Sequence, residues 1–314
     1  MTKGGEGGFE AVDLSRNHPL YPFIKVGNKS LNLMAVSLTR YPIMNFKYII
    51  ARLIRKYTPN KLFDFLLQRG IGIKPGMETS NPKEAVSQYW EVLTEKNLSI
   101  DKKRILLFGY GGNFGVGCLL LEAGASHVTL VDKYAHPNPA RNKILLPQYE
   151  KFLTANGKEI IPNPAVITLH HDDIDKLANS PGVDLVLSNS VLEHVQDVDA
   201  TIKALAALTD SNGMQIHFVD LRDHYFKYPF EMLCYSDKTW YKWLNPSSYL
   251  NRYRITDYQR IFEKYFTNVE ITVLASNSEA FQQVQSRIRQ EFLSGVTEID
   301  SATVIRVVTQ GIRG

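Results

Sequence analysis

Short apolar runs alternate with amphipathic segments from residue 104 onward, and this alternation predicts strands separated by helices. We predict seven strands, at residues 104–108, 127–131, 165–169, 183–187, 214–219, 269–273 and 302–309. Helices are predicted between them at residues 115–122, 198–209, 256–265 and 279–293. This order favours an α/β fold with a doubly wound, mainly parallel sheet that is covered by helices on both faces.

The first part of the chain has a different pattern. Residues 46–57 place apolar side chains at helical spacing, which predicts an amphipathic helix. Basic side chains lie between the apolar positions: Lys47, Arg52, Arg55 and Lys56. We interpret them as a solvated helical face; docking of this helix on a membrane is the less favoured alternative.

A joint between two parts of the chain is predicted near residue 80. Asn81, Pro82 and Glu84 form a helix-start signal, with a capping side chain, a proline at the first helical position and an acid at the third. We therefore expect an N-terminal helical lid or extension over residues 1–80 and a core over residues 81–314. An aromatic-rich insertion is expected within the core at about residues 221–255.

Composition and charge narrow the class of protein. The chain has 314 residues and two cysteines, with neither a signal peptide nor an apolar run long enough to span a membrane, which predicts a cytoplasmic protein. Residues 1–104 carry 17 Lys and Arg against 9 Asp and Glu, whereas the remainder is slightly acidic. The sequence has no Arg- and Lys-rich stretch with interleaved aromatic residues of the RNA-binding type, so we expect no nucleic-acid partner. The sequence leaves the oligomeric state open.

A glycine-rich loop follows the first predicted strand. Glycines at 109, 111, 112, 115 and 117 let backbone N–H groups approach a ligand closely. A dinucleotide fingerprint needs glycines at positions i, i+2 and i+5, and no start within this loop satisfies it, which disfavours a nicotinamide or flavin cofactor. Asp132 ends the second strand, 21 residues after Gly111, where a carboxylate can accept both hydroxyls of a ribose.

These segments resemble the successive motifs of class I S-adenosylmethionine-dependent methyltransferases. The matching segments are 105–117, Asp132, Asp172-Asp173, 188–195 and 213–219. The Leu-Glu-His-Val run at 192–195 is typical of the small-molecule, type 11-like group. A bacterial subgroup associated with glycan and natural-product pathways is similar through residues 109–112, 220–224 and 235–240. The resemblance covers about two-thirds of the chain.

The resemblance implies a seven-stranded Rossmann-like sheet, S-adenosyl-L-methionine as cofactor and a small-molecule acceptor. It assigns Asp132 to the ribose, and Asp172 or Asp173, with Ile174, to the adenine. The acid usually found before the first glycine is Leu107 here, so the methionine end is left to backbone at Gly109 and Gly111 or to a tyrosine. The full expected cofactor set is Tyr89, Gly109, Tyr110, Gly111, Asn113, Asp132, Lys133, Asp172, Asp173, Ile174, Asn189 and Ser190.

Two histidines beyond strand ends are the candidate catalytic residues. His224 and His194 can each serve as a base, bind the acceptor or play a structural role; for His224 the structural partner would be Asp220 or Asp223. We expect O-methylation of a sugar or natural-product hydroxyl. An N-methyltransferase and a non-catalytic nucleoside-binding relative are the alternatives. No metal is expected, because the acids and histidines near 193–194 and 220–224 show no tight ligand spacing.

Overall fold

The computed structural model describes residues 24–25, 45–57, 81–177, 180–224, 227–245 and 249–313. Within these residues the helices α1 to α9 are Phe46–Tyr57, Pro82–Glu95, Gly115–Glu122, Pro139–Leu145, Val198–Leu208, Asp237–Thr239, Ile255–Tyr265, Ser278–Val284 and Thr297–Asp300. The strands β1 to β10 are Ile24–Lys25, Arg104–Phe108, His127–Val131, Leu153–Asn156, Glu159–Pro162, Ile167–His170, Val183–Asn189, Thr209–Asp220, Phe266–Ser276 and Ala302–Ile312. Short 3₁₀ turns include Ile174–Leu177, Leu192–His194, Glu231–Cys234, Gln285–Arg287 and Gln290–Phe292, and Trp240–Leu244 forms a π turn.

The central sheet has the order β1-β9-β10-β8-β7-β2-β3-β6. The strands run parallel except β10, which is antiparallel to both β8 and β9. Seven of these eight strands are the ones predicted from sequence, and β1 is a two-residue edge strand beside β9. The predicted doubly wound, mainly parallel Rossmann-like fold is therefore confirmed.

Three local predictions differ from the structure. Residues 279–293 form α8 followed by short 3₁₀ turns instead of one helix. Tertiary contacts compete with a continuous helix there, because Arg287 pairs with Glu231 and the Arg289 N–H donates to the Leu233 carbonyl. Helix α7 starts one residue earlier than predicted, and α4 and the β4–β5 hairpin were not predicted.

Two apolar clusters hold the helices against opposite faces of the sheet. Alternation along β2 sends Ile105 and Leu107 into the cluster that contains α2 and α3. Leu106 points to the other face, into the cluster formed with α5 and α7. Leu107 is thus fully enclosed in the core, where a carboxylate in its place would lose its hydration.

A third cluster joins α1 to the aromatic-rich insertion around Trp240. Here the structure corrects the expectation that every basic residue of α1 is solvated. Arg52 is buried, forms an ion pair with Asp223 and lies 5.3 Å from the Trp240 ring centroid. The Tyr48 hydroxyl also donates to Asp223. The outward face of α1 is mixed: Lys47 is exposed, and so are the apolar side chains of Phe46, Ile50, Ile54 and Tyr57.

The length and apolar character of the described helices bear on whether any could cross a lipid bilayer. Across the described ranges, none combines the length and the apolar character that a bilayer crossing requires.

Candidate active site

Gly109 begins the loop that follows β2, at the carboxyl edge of the sheet. Its N–H donates to the Val131 carbonyl at 2.7 Å, and its φ of +86° lies in the left-handed region. A Cβ at this position would stand 2.2 Å from Cγ2 of Val191, and one at Gly112 would stand 2.3 Å from the His136 carbonyl oxygen. A side chain would therefore clash at both positions, and the glycines let the loop pack closely against Val191 and His136.

The Asp132 carboxylate ties this loop to the end of β3. One of its oxygens accepts the backbone N–H groups of Tyr134 and Ala135, at 2.9 and 2.8 Å. The other accepts the Gly111 N–H at 3.1 Å. A carboxylate oxygen has two lone-pair sites, so this second oxygen retains acceptor capacity for a ligand hydroxyl.

A cavity of about 370 Å³ opens along the ends of β2, β3, β6 and β7. Seven of the predicted site residues line it: Gly109, Asp132, Lys133, Asp172, Asp173, Ile174 and His194. Among the described lining residues, five are aspartates and one is a lysine. The field of such a cavity favours a cationic ligand and disfavours a phosphate.

Two ion pairs order the acidic rim of the cavity. Lys133 pairs with Asp173 and Lys176 with Asp172, each at 2.6 Å. Hydrogen bonding from the Lys176 ammonium, with that of the Asp173 N–H, lowers the pKa of the Asp172 carboxyl. Both aspartates remain partly exposed to solvent, so their second oxygens can reach a bound base.

The remaining predicted cofactor residues are not among those that line this cavity. Tyr89 and Tyr110 have fully buried side chains; Tyr89 packs on Phe218, and the Tyr110 hydroxyl lies 2.7 Å from Nε2 of His171. Three others make local hydrogen bonds: Asn113 with Gly115, Asn189 with Gln88, and Ser190 with Asn189. These residues brace the loops that face the cavity, and their direct contact with a cofactor stays a prediction.

His194 and His224 meet at one end of this region. Their ring centroids are 4.8 Å apart at a steep interplanar angle of 68°. Nδ1 of His194 lies 2.7 Å from the Tyr249 carbonyl oxygen, which can only accept, so this nitrogen carries the proton and donates. Burial, assisted by the neighbouring His194, lowers the pKa of His224 to about 4. The His224 imidazole is therefore neutral at pH 7.

A buried carboxyl lies beside the two histidines. Glu193 is 2% exposed, and neither of its carboxyl oxygens has a hydrogen-bond partner among the described residues. Burial and the nearby Asp220 carboxylate raise the pKa of Glu193 well above its usual range. Asp220 itself forms a bidentate salt bridge with Arg222.

The residues present fit the cofactor that the resemblance implies. The donor carries a sulfonium charge, a ribose and an adenine. The cavity offers a surplus of carboxylates, Asp132 at the end of β3, and Asp173 and Ile174 at the end of β6. Gly109 also lines the cavity, so its main chain would border the remaining part of the ligand. No feature of the cavity demands a phosphate.

Several lining residues were not predicted as site residues. Tyr134, Asp175, Val191, Gln196 and Asp197 all line the cavity. Tyr134 follows Asp132 by two residues and Val191 follows Ser190 directly, so proximity to predicted strand ends was the available signal. His171, which contacts the Tyr110 hydroxyl, had the same signal, because it follows β6 directly.

Comparisons with known proteins place this chain in a family. Among curated proteins, none matches the sequence significantly. Similar solved structures include an S-adenosylmethionine-dependent methyltransferase from Mesorhizobium loti, with 17% identity, a TM-score of 0.41 and coverage of 71% of this chain and 97% of that one. They also include the N-methyltransferase NodS from Bradyrhizobium japonicum in complex with S-adenosylhomocysteine, with 11% identity, a TM-score of 0.40 and coverage of 75% and 90%. A third is Haemonchus contortus phosphoethanolamine N-methyltransferase 2 with S-adenosylmethionine, at 12% identity, a TM-score of 0.43 and coverage of 72% and 53%.

A family model described as a methyltransferase domain matches residues 83–271. That span covers more than half of the chain and includes the glycine loop, the cavity and both histidines. The chain belongs to this methyltransferase-domain family, which confirms the prediction of an S-adenosylmethionine-dependent methyltransferase.

Proposed function

We propose that this enzyme methylates a hydroxyl group of a small molecule, such as a sugar or a natural product. The observation that carries the proposal is the position of His194. This side chain lines the cavity that fits the cofactor, and it also contacts His224 on the side of the aromatic-rich insertion. An acceptor that lies between the cavity and the insertion would meet both imidazoles.

The neutral state of His224 suits a hydroxyl acceptor. When bound, S-adenosylmethionine supplies an electrophilic methyl group on a sulfonium. The hydroxyl oxygen forms the new C–O bond as the C–S bond breaks, and the sulfur keeps the electron pair. The hydroxyl proton becomes strongly acidic as the C–O bond forms, and it passes to the His224 imidazole. This ring is neutral at pH 7 because burial lowers its pKa to about 4, and a weak base of this kind is sufficient for so acidic a proton.

Alignment of donor and acceptor supplies most of the rate enhancement for such a displacement. Holding two reactants in line is worth up to about 7–11 kcal/mol in effective concentration. The enclosed insertion provides rigid walls for this purpose, since Phe230 and Trp240 are almost fully buried. We propose that α1, which packs on the insertion through Tyr48 and Arg52, acts as the lid expected for the N-terminal extension.

The cellular location and the binding partners belong to the same proposal. We propose a cytoplasmic location, in keeping with Cys118 and Cys234, which are both free thiols. We also propose a small-molecule partner and no nucleic-acid partner.

A substitution of His224 tests the proposed role. His224→Ala should lower turnover by about tenfold or more while the affinity for S-adenosylhomocysteine stays within about twofold, because His224 does not line the cofactor cavity. The matched control is His127→Ala, a histidine at the opposite end of β3 beside Thr168. Unchanged turnover in His224→Ala would remove this residue from catalysis.

The acceptor atom is tested separately. Purified enzyme is incubated with methyl-labelled S-adenosylmethionine and matched pairs of alcohols and amines, and each product is analysed by mass spectrometry and NMR. We expect a methyl ether. A methyl group found only on nitrogen would establish the N-methyltransferase alternative, and binding of the nucleoside without transfer to either class would favour the non-catalytic one.

A further inference from the structure

Glu193, His194 and His224 bring three metal-ligand atoms together. One carboxylate oxygen and one ring nitrogen from each histidine all lie within 4.8 Å of one another. Ligands that are about 2.1 Å from a tetrahedral ion are roughly 3.4 Å apart. Side-chain shifts of about an ångström would therefore close the three groups around an ion.

The Glu193 carboxyl supplies an independent reason to expect a ligand. It is 2% exposed, and neither oxygen has a hydrogen-bond partner among the described residues. Asp220 is paired with Arg222, and Asp223 with Arg52, so the other nearby carboxylates are already matched to cations. An ionised carboxylate buried without a partner costs several kcal/mol, and a bound cation removes that cost.

His194 is oriented as a metal ligand usually is. Its Nδ1 donates to the Tyr249 carbonyl oxygen at 2.7 Å, which fixes the tautomer with the lone pair on Nε2. Metal-binding histidines commonly donate their other ring N–H to such an acceptor, and the Tyr249 carbonyl is the acceptor here. The ring is also held against His224, with 4.8 Å between the ring centroids.

We propose that Glu193, His194 and His224 bind a divalent transition-metal ion with open coordination positions toward the acceptor. Two imidazoles and one carboxylate favour Zn²⁺, Co²⁺, Fe²⁺ or Mn²⁺ over Ca²⁺ and Mg²⁺, which prefer all-oxygen sites. The absence of tight spacing in the sequence argued against a metal, but the fold brings the loop after β7 and the loop after β8 together.

The role of the ion rests on the proposed O-methyltransferase function. An acceptor hydroxyl bound to the ion would lose its proton more easily, because a bound cation lowers the pKa of its oxygen ligand. The proton passes to water, the oxygen forms the new bond to the methyl carbon, and the donor sulfur keeps the C–S electron pair. In the metal-loaded enzyme His224 is a ligand, and in the metal-free enzyme its imidazole accepts the proton.

The test measures metal binding by the untagged full-length protein after chelator treatment. Calorimetric titration with Co²⁺ and Zn²⁺ should show one high-affinity site per chain, and Co²⁺ should give the ligand-field spectrum of a nitrogen and oxygen site. Glu193→Gln and His194→Ala should each weaken binding by more than about 100-fold, since even outer partners contribute about 10- to 100-fold. Controls are His127→Ala and the double variant Cys118→Ser/Cys234→Ser, which should bind normally.

Thermal unfolding gives a second readout. Metal should raise the melting temperature of the native chain and of His127→Ala, but not that of Glu193→Gln. No saturable binding, or binding that Glu193→Gln leaves intact, would overturn the proposed site. Titration of the same samples with S-adenosylhomocysteine keeps the two proposals distinguishable, because cofactor binding without metal binding contradicts only the metal site.

Discussion

Gly109 is the residue whose backbone conformation the cofactor cavity depends on most directly. It has a positive φ and faces the Val191 side chain, so a substitution meets both backbone strain and a steric clash. A left-handed conformation costs an alanine about 1–2 kcal/mol, and a Cβ 2.2 Å from Cγ2 of Val191 requires the loop to shift. The clash is the larger obstacle, because such a contact cannot persist.

We predict that Gly109→Ala weakens the affinity for S-adenosylhomocysteine by about tenfold or more, as measured by calorimetry. The matched control is Gly157→Ala in the β4–β5 turn. Gly157 also has a positive φ, of +61°, but no atom lies within 4 Å of its added Cβ. Val191→Ala in the Gly109→Ala background should recover part of the affinity. Equal losses in the two glycine variants would show that the clash has no effect on binding.

At the scale of elements, α1 is attached to the insertion by a buried charged cluster. Asp223 is completely buried, forms an ion pair with Arg52 and accepts the Tyr48 hydroxyl. The Lys56 ammonium also donates to the Lys242 carbonyl of the π turn. Removal of one partner from a buried ion pair is costly because the other charge remains buried.

Arg52→Met should therefore lower the free energy that holds α1 against the insertion by about 3–5 kcal/mol. Native-state hydrogen exchange would show this as faster exchange in α1 and in residues 230–244. Lys47→Met is the control, since Lys47 is exposed on the same helix. Asp223→Asn added to Arg52→Met should restore part of the loss. If Lys47→Met loosens α1 equally, the ion pair is not what holds the helix.

The sequence predicted those elements whose signals are local. Strands β2 and β3 and helix α3 have the predicted bounds, because short apolar runs there end at glycines and acids. Signals of the same kind existed for α4, where Asn138 caps Arg141 and precedes a proline, and for the hairpin at Asn156-Gly157. The antiparallel direction of β10 has no such local signal, because it depends on how the chain returns to the sheet.

The candidate site likewise has some features that local sequence signals predict and others that they do not. Gly109 and Asp132 were predictable because each follows a strand directly, and Asp173 because it lies three residues after the end of β6. Sequence alone did not predict three other features: the contact of His194 with His224, the lack of a hydrogen-bond partner for the Glu193 carboxyl among the described residues, and the pairing of Arg52 with Asp223. These pairs join residues far apart in the chain, and only the folded topology sets their distance.

At the scale of the whole molecule, a buried histidine in β8 links stability to pH. The His217 side chain is completely buried, with Nδ1 2.7 Å from the Ser188 hydroxyl and Nε2 2.9 Å from the Gln215 side-chain oxygen. Since that oxygen only accepts, Nε2 carries the proton and Nδ1 accepts from Ser188. Burial lowers the pKa of His217 to about 3. Acceptance of the Ser188 proton by Nδ1 therefore requires the neutral ring.

The sign of the linkage follows from the two pKa values of His217. In the unfolded chain its pKa is about 6.5, so below that pH the unfolded state binds a proton that the folded state excludes. The stabilisation is fully present above about pH 6.5 and is lost as the pH falls from there toward about 3. His224, with a pKa lowered to about 4, acts in the same direction, whereas Glu193, with a raised pKa, acts in the opposite one.

A comparison of variants isolates the contribution of His217 from those of the other groups. Between pH 7 and pH 5, protonation of His217 in the unfolded chain should remove about 2 kcal/mol from the free energy of unfolding. This is 1.36 kcal/mol for each of about 1.5 pH units. His217→Gln lacks this titration, so urea unfolding should show that the native chain's advantage over the variant shrinks by about that amount at pH 5. His127→Gln, at the edge of the sheet beside Thr168, is the control. A constant difference between the native chain and His217→Gln across this range would mean that the buried ring is not the acid-sensitive group.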